Sequence, residues 1–134
     1  MAEMIKVLVI NPMEPPRVET IEHTLENLQK LVGGTIQACY PWDDPVALLC
    51  DDDGKFKGYV ANRVLEDEDG EPYDIVVGTF LITGLTREDF GSLSDELAEK
   101  YTERFRWPEM FMRTMDDHVI WVKLKPGEQP KVIV

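Results

Sequence analysis

Residues 5–10, IKVLVI, form an almost unbroken β-branched and aliphatic run stopped by Asn11-Pro12. A run of that length predicts a strand covered on both faces, the first of the chain and central in its sheet. Residues 17–20 follow a proline-rich segment and predict a short second strand. From about residue 22 to residue 32 the period changes. Ile21, Leu25, Leu28, Leu31 and Val32 recur at helical spacing, with Glu22, Glu26, Gln29 and Lys30 on the other face. This predicts an amphipathic helix, acidic at its start and basic at its end as the helix dipole favours. Gly33-Gly34 then supplies the left-handed residue that commonly ends a helix.

Residues 35–40 and 46–50 predict two strands held apart by the rigid segment PWDDP. The DDDG sequence at 51–54 predicts a chain reversal, with residues 55–59 returning as a hairpin partner. Residues 60–65 fit either a short helix or a strand. The strongest strand pattern is DIVVGTFLIT at 74–83, where Gly78 marks a bulge or a close backbone approach. Helical spacing resumes near residue 86 and is clearest over 95–105, with Leu97, Ala98, Tyr101 and Phe105 on one face and Ser92 or Ser94 as the cap. Pro108 starts a further helical turn through Phe111 and Met112, and residues 119–124 predict another strand. The tail from about residue 126 either adds an edge strand or frays. No repeat or linker divides the pattern, so the expected fold is a single α+β domain over residues 1–134. Its sheet is mixed or antiparallel, flanked by two to three helices.

With 43% hydrophobic residues in 134, the chain has enough apolar side chain to bury a core. A net charge of -12 and a pI near 4.5 repel nucleic-acid phosphates, so no direct nucleic-acid binding is expected. The acids gather at Asp43 and Asp44, at Asp51, Asp52 and Asp53, and over 66–71, beside turn-forming Gly and Pro, where they read as solvated loop charges. The same acids permit an alternative, a DNA mimic that inhibits a nuclease or restriction enzyme, which the 14 Lys and Arg weaken. Cys39 and Cys50 form no CxxC and are expected as reduced thiols. The apolar stretch at 4–10 is short and contains Lys6, unlike a secretory segment, and no run approaches the length of a membrane span. A cytoplasmic protein with no membrane partner is expected.

Known chemical motifs are missing from the residue order. The two Asp/Glu-Gly clusters fail the calcium-loop register, because Leu49 and Val60, or Leu65 and Val76, stand where ligands are needed. His23 and His118 lie outside any zinc spacing. There is no GxSxG elbow, no phosphate-binding glycine loop, and both cysteines sit in apolar, strand-like settings. No catalytic, metal or cofactor residue is assigned, and the chain is read as nonenzymatic.

Two clusters bear on binding. The segment FRWPEMFMRTM at 105–115 and its flank gather Phe105, Trp107, Met110, Phe111, Met112 and Met115 with Arg104, Arg106 and Arg113, residue types enriched at interface cores, and of these Arg104, Arg106, Trp107, Met110, Phe111 and Arg113 are the candidate contact residues. It is a candidate surface for a protein partner or for self-association; the competing reading is that these side chains close the domain core. Asn62, Arg63 and Tyr73, with Arg113 as a further anion partner, form a weaker candidate pocket for a nucleotide-like small molecule, and all four serve equally well as structural residues.

The stretches LVGGTIQACYPWDDPVALLCDDDGKFKG, NRVL, YDIVVGTFLITGL and SLSDELAEKYTERFRWPEMF together resemble the family called domain of unknown function 3846, over about residues 5–111. The most specific positions are Gly33-Gly34, Tyr40-Pro41 with Asp43-Asp44, Asn62-Arg63 and Gly78-Thr79-Phe80. The resemblance implies a small protein of bacteria, phages or mobile elements, sometimes associated with antirestriction modules; it brings no activity, cofactor or catalytic residue. The expected function is a noncatalytic interaction or counter-defence protein of a phage or mobile element. Small-molecule binding and DNA mimicry stand as the alternatives.

Overall fold

The computed structural model describes residues 3–133. Its first half comprises β1 (Met4–Ile10), β2 (Arg17–Glu22), α1 (Leu25–Val32), β3 (Ile36–Cys39), β4 (Val46–Asp51) and β5 (Ala61–Glu66). Then follow β6 (Pro72–Val77), β7 (Phe80–Leu85), β8 (Phe90–Gly91), α2 (Asp95–Arg104), β9 (Glu109–Arg113), β10 (Val119–Lys123) and β11 (Lys131–Val132). Every strand pairing is antiparallel. The main sheet runs β2-β1-β7-β4-β3 with β8 beside β7, while β5-β6 and β11-β10-β9 make two smaller sheets. The protein is thus α+β and rich in strand, with two helices among the described residues. Neither helix is long and apolar enough to cross a membrane.

Period-two alternation sends each central strand's side chains to two different cores. On one face Ile5, Val7, Val9, Ala47, Leu49 and Leu81 pack with Leu28 and Val32 of α1. On the other, Leu8, Ile10, Leu48, Phe80 and Ile82 pack with α2 and with Leu65 and Val76 of the β5-β6 hairpin. This explains why β1 and β4 read as continuous apolar runs: both faces are covered. Phe80 and Phe105 meet edge to face at 5.5 Å, and Trp42 tilts against Tyr101 at 4.6 Å, which seats α2 on this second face.

Several expected elements take different forms. The first helix starts at Leu25, because β2 continues its ladder with β1 as far as Glu22, opposite Met4. Ile21 therefore lies on a strand, and Thr24 caps the helix by accepting from the Asn27 N–H at 3.1 Å. Gly33 ends it at φ 93°. Residues 55–58 are a turn and no part of 55–59 is a hairpin partner, since β4 already pairs with β3 and β7 on its two edges. The ambiguous stretch is strand β5. No helix occurs near residue 86; β8 precedes α2, which starts after the Ser94 cap.

The single strand expected at 74–83 is two strands in two sheets, broken at Gly78. Gly78 sits at φ 72°, and a Cβ there would stand 2.5 Å from Tyr59 Cδ2, so what packs closely on this glycine is a side-chain ring, where the sequence suggested a bulge or a close backbone approach; its left-handed backbone turns the chain from one sheet into another. The helical turn expected after Pro108 is strand β9, paired along its full length with β10. The tail does add an edge strand, β11.

Candidate functional site

Asn62 and Arg63 sit side by side on β5, and both are 0% exposed. Neither lines a pocket with Tyr73, which is 57% exposed on β6. Burial without partners would cost each polar group dearly, and the structure gives each its partners. The Asn62 amide donates to the Ile10 and Gly78 carbonyls at 2.9 and 2.8 Å, tying the end of β1 to the break between β6 and β7. Arg63 donates to Asn62 Oδ1 at 2.7 Å, to the Glu14 carbonyl at 2.7 Å and to the Phe105 carbonyl at 3.0 Å. It thereby fastens the β1-β2 loop and the end of α2 to the hairpin.

Glu109 completes this knot from the C-terminal sheet. Its Oε2 lies 3.7 Å from Arg63 Nε, and its Oε1 accepts from the Val64 N–H at 2.9 Å and from Trp121 Nε1 at 2.6 Å. Burial pushes the Glu109 carboxyl up, opposed by those two hydrogen bonds and by Arg63; burial likewise pulls Arg63 down, opposed by Glu109. Sequence reading missed Glu109 and Trp121. The signal available was a lone acid inside an aromatic and Met run, where a charged side chain needs a reason to be present.

The register of β9, β10 and β11 sorts the candidate partner surface onto two opposite faces. Glu109, Phe111 and Arg113 stand opposite Lys123, Trp121 and Val119, and the buried Glu109 and Trp121 mark this as the inner face, toward the hairpin. Met110 and Met112 stand opposite Val122 and Ile120, and Ile120 opposite Val132, making an outer face. Met110 is 45%, Met112 61% and Val132 64% exposed. The six residues picked from sequence therefore form no single surface. A helical turn would have grouped Met110, Phe111 and Arg113, whereas a strand sends neighbours to opposite sides. Arg104 lies over the Trp42 ring at 5.5 Å, and Arg106 over that of Trp107 at 5.2 Å. Ile120, Val122 and Val132 join Met110 and Met112 on the outer face and were not singled out from sequence.

Between the hairpin and the inner face of the C-terminal sheet lies a cleft of about 530 Å³, lined by Tyr73, Ile75 and Val77 on one side and Phe111, Arg113 and Val119 on the other. Tyr73 and Arg113 thus come together as expected, without Asn62 or Arg63. Lys55, from the turn after β4, also lines the cleft and pairs with Asp74 at 3.2 Å.

Other chemistry is weakly provided for. Among the described residues no three His, Cys, Asp or Glu side chains gather so as to hold a metal ion. Cys50 is pushed up to about 11, chiefly by burial, and burial followed by Asp74 raises Cys39, so both are protonated thiols at neutral pH. The acidic turns at 43–44 and 66–68 border one shallow depression, but Lys100 and Arg104 stand among them, and Lys100 holds Asp44 at 2.6 Å. A phosphate-like row of charges is interrupted there.

No curated protein and no solved structure matches the chain. A family model does, over residues 5–106, which takes in the main sheet, both helices and the hairpin and stops before β9. The buried Asn62-Arg63 pair and the tight contact at Gly78 lie inside that span, and with about three quarters of the sequence matched the chain belongs to the family described as domain of unknown function (DUF3846).

Proposed function

We propose that the chain is a noncatalytic interaction module that engages a protein partner through the outer face of its C-terminal sheet. One observation carries this reading. Met110, Met112, Ile120, Val122 and Val132 form a sheet face with no charged side chain on it among the described residues, in a protein of which 30% of the residues are charged. Exposed apolar faces rimmed by polar residues mark contact sites, and Met side chains adapt to irregular partners. Arg104, Arg106, Arg113, Lys123, Lys125 and Lys131 outnumber Glu109, Asp116, Asp117 and Glu128 over residues 104–133, so an acidic partner meets no general repulsion there. The phage and mobile-element setting implied by the family resemblance supports an accessory or counter-defence role for such a module.

Affinity capture from the native host tests the reading, with chain carrying Met112→Glu and Val132→Glu compared against wild type and against Leu25→Glu, an exposed position on α1. The captured partner should be lost with the first variant and kept with the second. Equal capture by all three proteins overturns the proposal.

A further inference from the structure

Two sheets that face one another fill the space between them with side chains over a separation of about 10 Å. Between the hairpin and the C-terminal sheet this filling is complete at the Glu109 end, where one carboxylate oxygen holds both Val64 and Trp121 and Lys123 reaches Glu66 at 3.2 Å. At the Arg113 end it stops short and leaves the cleft of about 530 Å³. That volume falls in the range of roughly 300–1,000 Å³ typical of small-molecule sites. Its walls are aromatic and aliphatic, from Tyr73 and Ile75 to Phe111 and Val119.

Among the described residues the lining holds two cations, Lys55 and Arg113. Each already holds a carboxylate, Lys55 that of Asp74 at 3.2 Å, which itself lines the cleft, and Arg113 that of Asp117 at 2.6 Å. Both pairs are solvent-exposed, so exchanging a carboxylate for a ligand anion costs little. Two cations that each already hold an exposed carboxylate, beside apolar walls, suit a single negative charge on a flat body that displaces one of those carboxylates better than a polyphosphate, which needs several uncompensated cations.

We propose that this cleft binds a flat aromatic molecule bearing one negative charge, an aromatic carboxylate or sulfonate, with its ring against Tyr73 and Phe111 and its anionic group at Lys55 and Arg113. This narrows the nucleotide-like ligand expected from sequence to a monoanion. The cleft lies on the inner side of the C-terminal sheet; Met112 of the partner face also borders it, whereas Met110 and Val132 do not, so variants at those two positions separate the two sites.

Fluorescence titration with 8-anilinonaphthalene-1-sulfonate, an aromatic monoanion, tests the site against N-phenyl-1-naphthylamine, the same ring system without the charge. Near-UV circular dichroism verifies native packing in each protein. Wild type should bind the sulfonate at one saturable site. Arg113→Gln and Lys55→Gln should each weaken the sulfonate about fivefold, the scale of one charge-assisted contact, and leave the neutral probe within about twofold. Tyr73→Ala should weaken both probes. Met110→Ser with Val132→Ser, on the outer face, should change neither. Lys55, Tyr73 and Arg113 are more than half exposed, so these variants keep the fold. The proposal is overturned by the lack of saturable sulfonate binding to native protein, by lining variants that bind as wild type does, by equal loss of both probes on removing a charge, or by loss through the outer-face variant.

Discussion

A guanidinium taken out of water costs several kcal/mol unless its donors and its charge are both met. Arg63 meets them with four acceptors, the Asn62 side-chain oxygen and the Asn62, Glu14 and Phe105 carbonyls, and with the Glu109 carboxylate. Its neighbours in the knot come from the β1-β2 loop, the end of α2 and the C-terminal sheet, so the residue reports on the docking of all three. Replacing Arg63 with Met leaves Glu109 as a buried charge without its cation and strips a donor from the Asn62, Glu14 and Phe105 carbonyls. The expected loss is about 3–5 kcal/mol in urea unfolding. A double-mutant cycle with Glu109→Gln should show that the two losses do not add, because the second substitution removes the charge that the first left unpaired. Strict additivity would mean that the pair makes no energetic contact.

Strand β9 sets adjacent residues to opposite tasks. Trp121, the inner-face partner of Phe111, is buried and donates to Glu109, whereas Met112, the next residue along β9 from Phe111, faces out. Trp121→Ala should cost about 3–5 kcal/mol through lost packing and one lost hydrogen bond to Glu109, whose oxygen keeps the Val64 N–H. Met112→Lys should change stability by no more than about 0.5 kcal/mol, as surface substitutions do. Urea midpoints for the two variants measure this directly; comparable losses would mean that the outer face is covered within the chain. The helical turn expected here had a physical basis in Pro108, which suits a first helical position. Pairing with β10 along all five residues overrides that local preference, since ladder hydrogen bonds and cross-strand contacts outweigh a preference worth tenths of a kcal/mol.

At the scale of the whole molecule, the family part and the C-terminal sheet meet at the Arg63-Glu109 knot and at the cleft. Ending the chain after Arg106 removes Glu109 and Trp121, leaving the Val64 N–H without its acceptor and Arg63 without its carboxylate. Such a protein should unfold at lower urea than the full chain, by about 3–5 kcal/mol, and Arg63→Met should recover part of the difference in the shortened chain while costing stability in the full one. An unchanged midpoint would mean that the sheet is an appendage with no share in stability. The residue order by itself determined the α+β class, β1 as a strand covered on both faces, both helix bodies, the Gly33 stop and the irregular geometry at Gly78, because periodicity and left-handed geometry are local properties that side chains declare one by one. Tertiary structure alone decided that 74–83 breaks into two sheets, that Asn62 and Arg63 are buried while Tyr73 stands open, and that Phe111 and Arg113 part from Met110. Those outcomes depend on which strand edges remain unpaired and which distant carbonyls and carboxylates reach a buried donor, and contacts between residues 40 to 60 positions apart leave no periodic trace along the chain.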